Sequence, residues 1–167
     1  MVCQPLLVIV MRIDVVQIVL RKTHTLNLPL VANSIFTAQQ ASAIFCDAIG
    51  SLNVEHVALL CLDNANRAIN FSIISTGEIN NVKVSLAQLF RTALLSNASK
   101  IMVAHNHPSG ILEITSNDIE TTRKIAFFAN AFSMELLDSI IVTSNDYISI
   151  RSHCKEFLHD QENNIQD

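Results

Sequence analysis

The sequence predicts an α/β or α+β domain, with a central mixed β-sheet flanked by helices. Three observations carry this. Short runs rich in Val, Ile and Leu alternate with segments whose apolar residues recur at helical spacing. The run VALLCLD, 57–63, is apolar throughout, as a strand covered on both faces requires. Half of the 167 residues are hydrophobic and only 16% are charged, which suits a single domain with a buried core rather than a disordered chain.

The elements follow in order. MRIDVVQIVL, from Met11, has the Val and Ile content of a strand, and the ten residues before it read as an upstream extension. The apolar runs around it are cut by Arg12 and Asp14, so neither a membrane span nor a signal peptide is expected. Residues 25–36, with Pro29 and Asn33, read as a loop. Thr37 to Gly50 reads as a helix, with Thr37 as N-cap, Gly50 just past its end, and Ala41, Ile44, Phe45 and Ile49 on one face. VALLCLD and Ala68–Ser75 form a hairpin about the turn Asp63-Asn64-Ala65-Asn66. Thr76 to Asn81 is a loop. Ser85 caps a helix reaching Asn97, with Leu86, Leu89, Phe90, Ala93 and Leu94 as its apolar stripe. Lys100–Ala104 is a short strand, Thr115–Asn130 a third helix, and Leu136–Thr143 with Tyr147–Ile150 a closing hairpin. The polar tail KEFLHDQENNIQD is expected to fray.

Composition narrows the function. A net charge of −4 without blocks of like charge gives nucleic acid no obvious electrostatic footprint, while an acidic average leaves room for a local basic patch. Cys3, Cys46, Cys61 and Cys154 are scattered and form no CxxC pair. They read as small hydrophobes in a reducing cytoplasm rather than as a disulfide frame or a cysteine-rich metal site.

The chemistry gathers in AHNHPSG, 104–110. On an extended segment residues i and i+2 point the same way, so His105 and His107 project together and Asn106 faces away. Two converging imidazoles begin a zinc site. Pro108 stops the strand, and Ser109-Gly110 turns the chain. Thr115, with Asp118 three positions on, has the form of a helix cap, and the same turn can aim Asp118 back at the histidines as a third ligand. Two histidines and one carboxylate would leave a fourth position for water, the catalytic pattern. Such a site also needs a general base, and Glu55, Glu78, Glu113 and Glu120 are the candidates. Glu55, just before the buried strand, stands where it can reach a neighbouring strand's mouth. His24, His56, His153 and His159 have no partner spacing. The HxE and PCxxC elements of zinc deaminases are absent.

HNHPSG, four residues, then Thr-x-x-Asp resembles the JAMM signature of the JAB/MPN metalloprotease domain. It is most similar to the RadC-like branch, whose pattern is HNHPSG-x4-Ser-x-x-Asp. Three further blocks share the resemblance: NVEHVALLCLDNANRAI with its leading Glu, STGEIN with the helix SLAQLFRTALLSN, and LLDSIIVTSNDYISI. Together they cover roughly residues 11–153. The resemblance implies a JAB/MPN, cytidine-deaminase-like architecture. The organisation it implies is residues 1–36 as extension and first strand, 37–153 as the JAB/MPN domain, and 154–167 as tail.

It further implies that His105, His107 and Asp118 bind Zn2+, that Glu55 is the general acid/base, and that the hydroxyl of Thr115 steadies the oxyanion. The activity implied is zinc-dependent hydrolysis of a peptide or isopeptide bond. The alternative is an accessory module associated with DNA repair, which rests on the family's label and gains nothing from the charge. Two residues depart from the pattern. Thr115 stands where Ser is usual, adding a methyl and a stiffer χ1 that bear on rate more than on metal binding. Ser139 stands where His usually follows Asp138. Residues 1–36 do not read as the helix-hairpin-helix segment of longer relatives, so a short form is expected. The expected partner is a peptide or protein substrate in the cytoplasm, without a membrane, and a homodimer stays open.

Overall fold

The computed structural model describes residues 21–23, 25, 34–77 and 84–154. The strand expected over 11–20, most of the loop over 25–36, Glu78, Cys3, His24, His159 and the polar tail lie outside the described residues. Five strands form one sheet in the order β2-β1-β3-β4-β5. They are β1 (His56–Leu62), β2 (Ala68–Thr76), β3 (Lys100–Asn106), β4 (Glu135–Val142) and β5 (Tyr147–Ser149). β3 and β4 run parallel and the other pairs antiparallel, so the sheet is mixed. The parallel pair needs a crossover, and helix α3 (Ser116–Ala131) supplies it. Helices α1 (Ala38–Phe45) and α2 (Leu86–Leu95) precede it, and the short α4 (Ile150–His153) follows β5.

β1 sits between β2 and β3, and its sequence reflects that position. Val57, Leu59 and Cys61 enter one core with Leu89 and Phe90 of α2 and Ile125 of α3. Ala58, Leu60 and Leu62 enter a second core with Ile44 and Phe45 of α1. Apolar residues at every position are what a strand covered on both faces needs. β3 divides likewise: Ile101 and Val103 face the α2–α3 side, Met102 and Ala104 the α1 side. His105 therefore emerges toward α3.

The helix expected from Thr37 to Gly50 is two pieces. Thr37 does cap it, in a reciprocal box with Gln40, but α1 ends at Phe45 and a π-helical turn runs Cys46–Gly50. Gly50 belongs to that turn instead of lying past it. A Cβ there would meet the Thr143 carbonyl oxygen at 2.3 Å, so its requirement is close approach to the β4–β5 connection. Ile150 opens α4 instead of ending β5, because Ser149 Oγ accepts the Ser152 amide as a cap. Leu94, expected in the apolar stripe of α2, is half exposed. Of the described cysteines Cys61 is buried, while Cys46 and Cys154 are partly exposed. Among the described residues no helix is long and apolar enough to cross a membrane.

Candidate metal centre

The centre lies where β1 begins and β3 ends. His105 is the last residue of β3 paired with β1, opposite Val57. The chain continues straight for two residues, and the His107 amide donates to the Val142 carbonyl of β4 at 3.0 Å. Both imidazoles consequently project to the same side, with ring centroids 5.0 Å apart. The turn that follows closes with the Gly110 amide on the His107 carbonyl, and Gly110 takes φ +75°. That left-handed conformation favours glycine.

The turn leads to Thr115, the N-cap of α3. Thr115 Oγ1 accepts the Asp118 amide at 3.2 Å, and the Thr115 amide donates to Asp118 Oδ2 at 2.8 Å. The Thr115 hydroxyl also donates to Oδ2, at 2.6 Å. With Oδ2 committed to the cap, Oδ1 faces the histidines, 3.3 Å from His105 Nε2. Cap and ligand geometry thus coexist in one carboxylate. The proton on Thr115 Oγ1 is directed at a ligand candidate, so this position bears on the centre itself.

His107 Nδ1 lies 2.8 Å from the Ile111 carbonyl oxygen, which can only accept. Nδ1 therefore carries the hydrogen, and the lone pair sits on Nε2. That atom is 3.1 Å from His105 Nε2. Burial pushes the His105 imidazole down to about 4, with the Asp118 charge opposing and His107 adding to the fall. Neutral imidazoles are the ligating form. One ligand atom from each of His105, His107 and Asp118 lies within 4.8 Å of the others, and all three side chains are partly buried. Two nitrogens and one carboxylate oxygen, converging and held from behind by Ile111 and Thr115, fit a divalent zinc ion that keeps one position open.

The three residues line a cleft of about 900 Å³. Glu55 lines it too, standing two residues before Val57, the partner of His105 in the β1–β3 pair. Glu113 also reaches the cleft, from the exposed loop before α3. Glu120 does not line it; it is exposed and pairs with Lys124, which does reach the cleft. Thr115 and Ser139 are in the lining, and Val57, Val84 and Leu86 give it an apolar wall that the sequence alone did not assign.

The family model of the RadC-like JAB domain matches residues 35–155. The chain belongs to the RadC-like JAB domain family. Similar proteins include a UPF0758 protein of Finegoldia magna, 42% identical over 108 residues, which are 65% of this chain and 48% of that protein. A UPF0758 protein of Streptococcus pyogenes serotype M49 is 34% identical over 121 residues, 72% of this chain and 54% of that one. The chain spans about half the length of the curated relatives it matches. The metal-ligand candidates and Glu55 all fall inside the matched RadC-like JAB segment.

Proposed function

We propose that this RadC-like JAB domain is a zinc-dependent hydrolase of JAMM type, cleaving a peptide or isopeptide bond. The observation that carries the reading is the convergence of His105, His107 and Asp118 beside Glu55 in one cleft. His105 Nε2, His107 Nε2 and Asp118 Oδ1 would hold the metal. When bound, zinc supplies Lewis acidity toward the scissile carbonyl and toward water.

The protein's own groups do the rest. Glu55 takes a proton from the attacking water and delivers it to the leaving amine, the two halves of general acid–base catalysis. Thr115 lines the cleft and orients Asp118; to steady the oxyanion of the tetrahedral intermediate, its one hydroxyl proton would have to turn from Asp118 Oδ2 toward the substrate. Val57, Val84 and Leu86 offer an apolar wall to a substrate side chain. A net charge of −4 gives the DNA-associated alternative no electrostatic support.

The test is hydrolysis of a mixed library of quenched fluorescent peptides and lysine-branched isopeptides by zinc-loaded protein. Glu55→Gln should keep its metal and lose activity by roughly 100-fold or more, within the usual span for a general base. Wild-type rates in that variant would remove Glu55 from the chemistry.

A further inference from the structure

Between the two histidines stands Asn106, wholly buried on the opposite face of β3. The β1–β3 ladder runs from Leu62–Lys100 to Val57–His105. Beyond that last pair the Asn106 side chain takes over the pairing. Its Oδ1 accepts the His56 amide at 2.7 Å. Its Nδ2 donates to the Leu52 and Val54 carbonyl oxygens, both at 3.1 Å. All three bonds go to the five residues 52–56, and Glu55 is among them.

We propose that Asn106 is a positioning residue for Glu55, tying the segment that carries the acid/base to the strand that carries the metal ligands. The proposal rests on the reading of Glu55 given above and extends it. Residues 52–55 form no regular element before β1 starts, so their backbone needs partners from elsewhere. The amide of Asn106 supplies both donors and an acceptor at once, which neither Asp nor Ser can do. On the far side the Glu55 carbonyl accepts the Gly77 amide at 3.0 Å. The segment around Glu55 is thus held from both neighbours of β1. A general base must sit within hydrogen-bond reach of the proton it takes, and small misplacements lower the rate steeply. Because Asn106 is flanked by His105 and His107, any movement of the metal-bearing strand end carries residues 52–56 with it.

The test uses the full chain and needs no known substrate. Wild type, Asn106→Ala, Asn106→Asp and Glu55→Gln are loaded with cobalt(II), and the pH midpoint of the visible spectrum is recorded for each, with metal content and thermal unfolding as controls. Glu55→Gln should move the midpoint. Asn106→Ala and Asn106→Asp should move it in the same direction by at least half as much, at unchanged metal content. Wild-type midpoints in folded, loaded Asn106 variants would overturn the proposal, as would loss of metal at an unchanged melting temperature. If Glu55→Gln leaves the midpoint in place, the reading of Glu55 fails first, separately from the behaviour of Asn106. If neither Asn106 variant folds, amide exchange in wild type decides: the His56 amide should exchange at least tenfold more slowly than an exposed loop amide, and exchange at the loop rate would overturn the clamp.

Discussion

Thr115 and Asp118 hold each other. The threonine hydroxyl donates to Asp118 Oδ2 and accepts the Asp118 amide, while Oδ1 of the same carboxylate stands 3.3 Å from His105 Nε2. A helix cap has become the orienting bond of a metal-ligand candidate.

Removing the hydroxyl should therefore cost in two places. Thr115→Val is expected to lower unfolding stability by about 1 kcal/mol, the usual value of a cap. It should weaken zinc by roughly 10- to 100-fold, as loss of a bond behind a ligand does. Thr115→Ser keeps both bonds and should match wild type. Urea unfolding and competition against a chelator measure the two effects; a Val variant with wild-type zinc affinity would separate the cap from the centre.

The metal-free protein should lose stability in acid through His105. Its imidazole is held down at about 4 in the folded chain, first by burial, against an ordinary 6.5. Between those values the unfolded chain binds the proton and the folded one does not, so stability falls as pH drops from about 6.5 toward 4. Above that window this contribution is constant. Urea unfolding at pH 7.5, 6 and 4.5 should show wild type falling more steeply than His105→Asn, and parallel profiles would contradict it.

Gly50→Ala should be among the more damaging small substitutions. The added methyl would stand 2.3 Å from the Thr143 carbonyl oxygen and 2.9 Å from its carbon, both backbone atoms. Relief requires the π-helical turn and the β4–β5 connection to separate. A loss of about 2–3 kcal/mol is expected, in the range of overpacked cores. Chemical denaturation reads it directly, and a neutral effect would show that the turn can shift freely.

Cys61 should resist alkylation in the native protein. It is fully buried, and burial pushes its thiol up to about 11, against an opposing hydrogen bond with Ser96. Thiolate is the reactive form. Iodoacetamide at pH 8 followed by peptide mapping should label Cys61 only after urea is added.

Much of this was legible in the sequence because the signals were local. The unbroken apolar run of β1 reports a strand with two covered faces, and Thr37 and Thr115 report helix starts by side-chain chemistry alone. The spacing of His105 and His107 reports their shared direction. What stayed hidden depended on partners far along the chain. Gly50 looks like a helix stop until Thr143 is placed against it. Ile150 looks like strand until Ser149, itself hydrogen-bonded to the buried Asp138, starts a helix. Asn106 is seen to face away from the histidines, but its hold on Leu52, Val54 and His56 spans about fifty positions and leaves no periodicity to read.

Metal content measured side by side for wild type and His107→Ala is the decisive test of a zinc centre at His105, His107 and Asp118. Both proteins are purified, incubated with zinc, freed of excess and analysed for metal, with circular dichroism confirming the fold. Stoichiometric zinc is expected in wild type, and its loss in a folded His107→Ala. Zinc retained in full by the variant, or absent from the wild type, would contradict it.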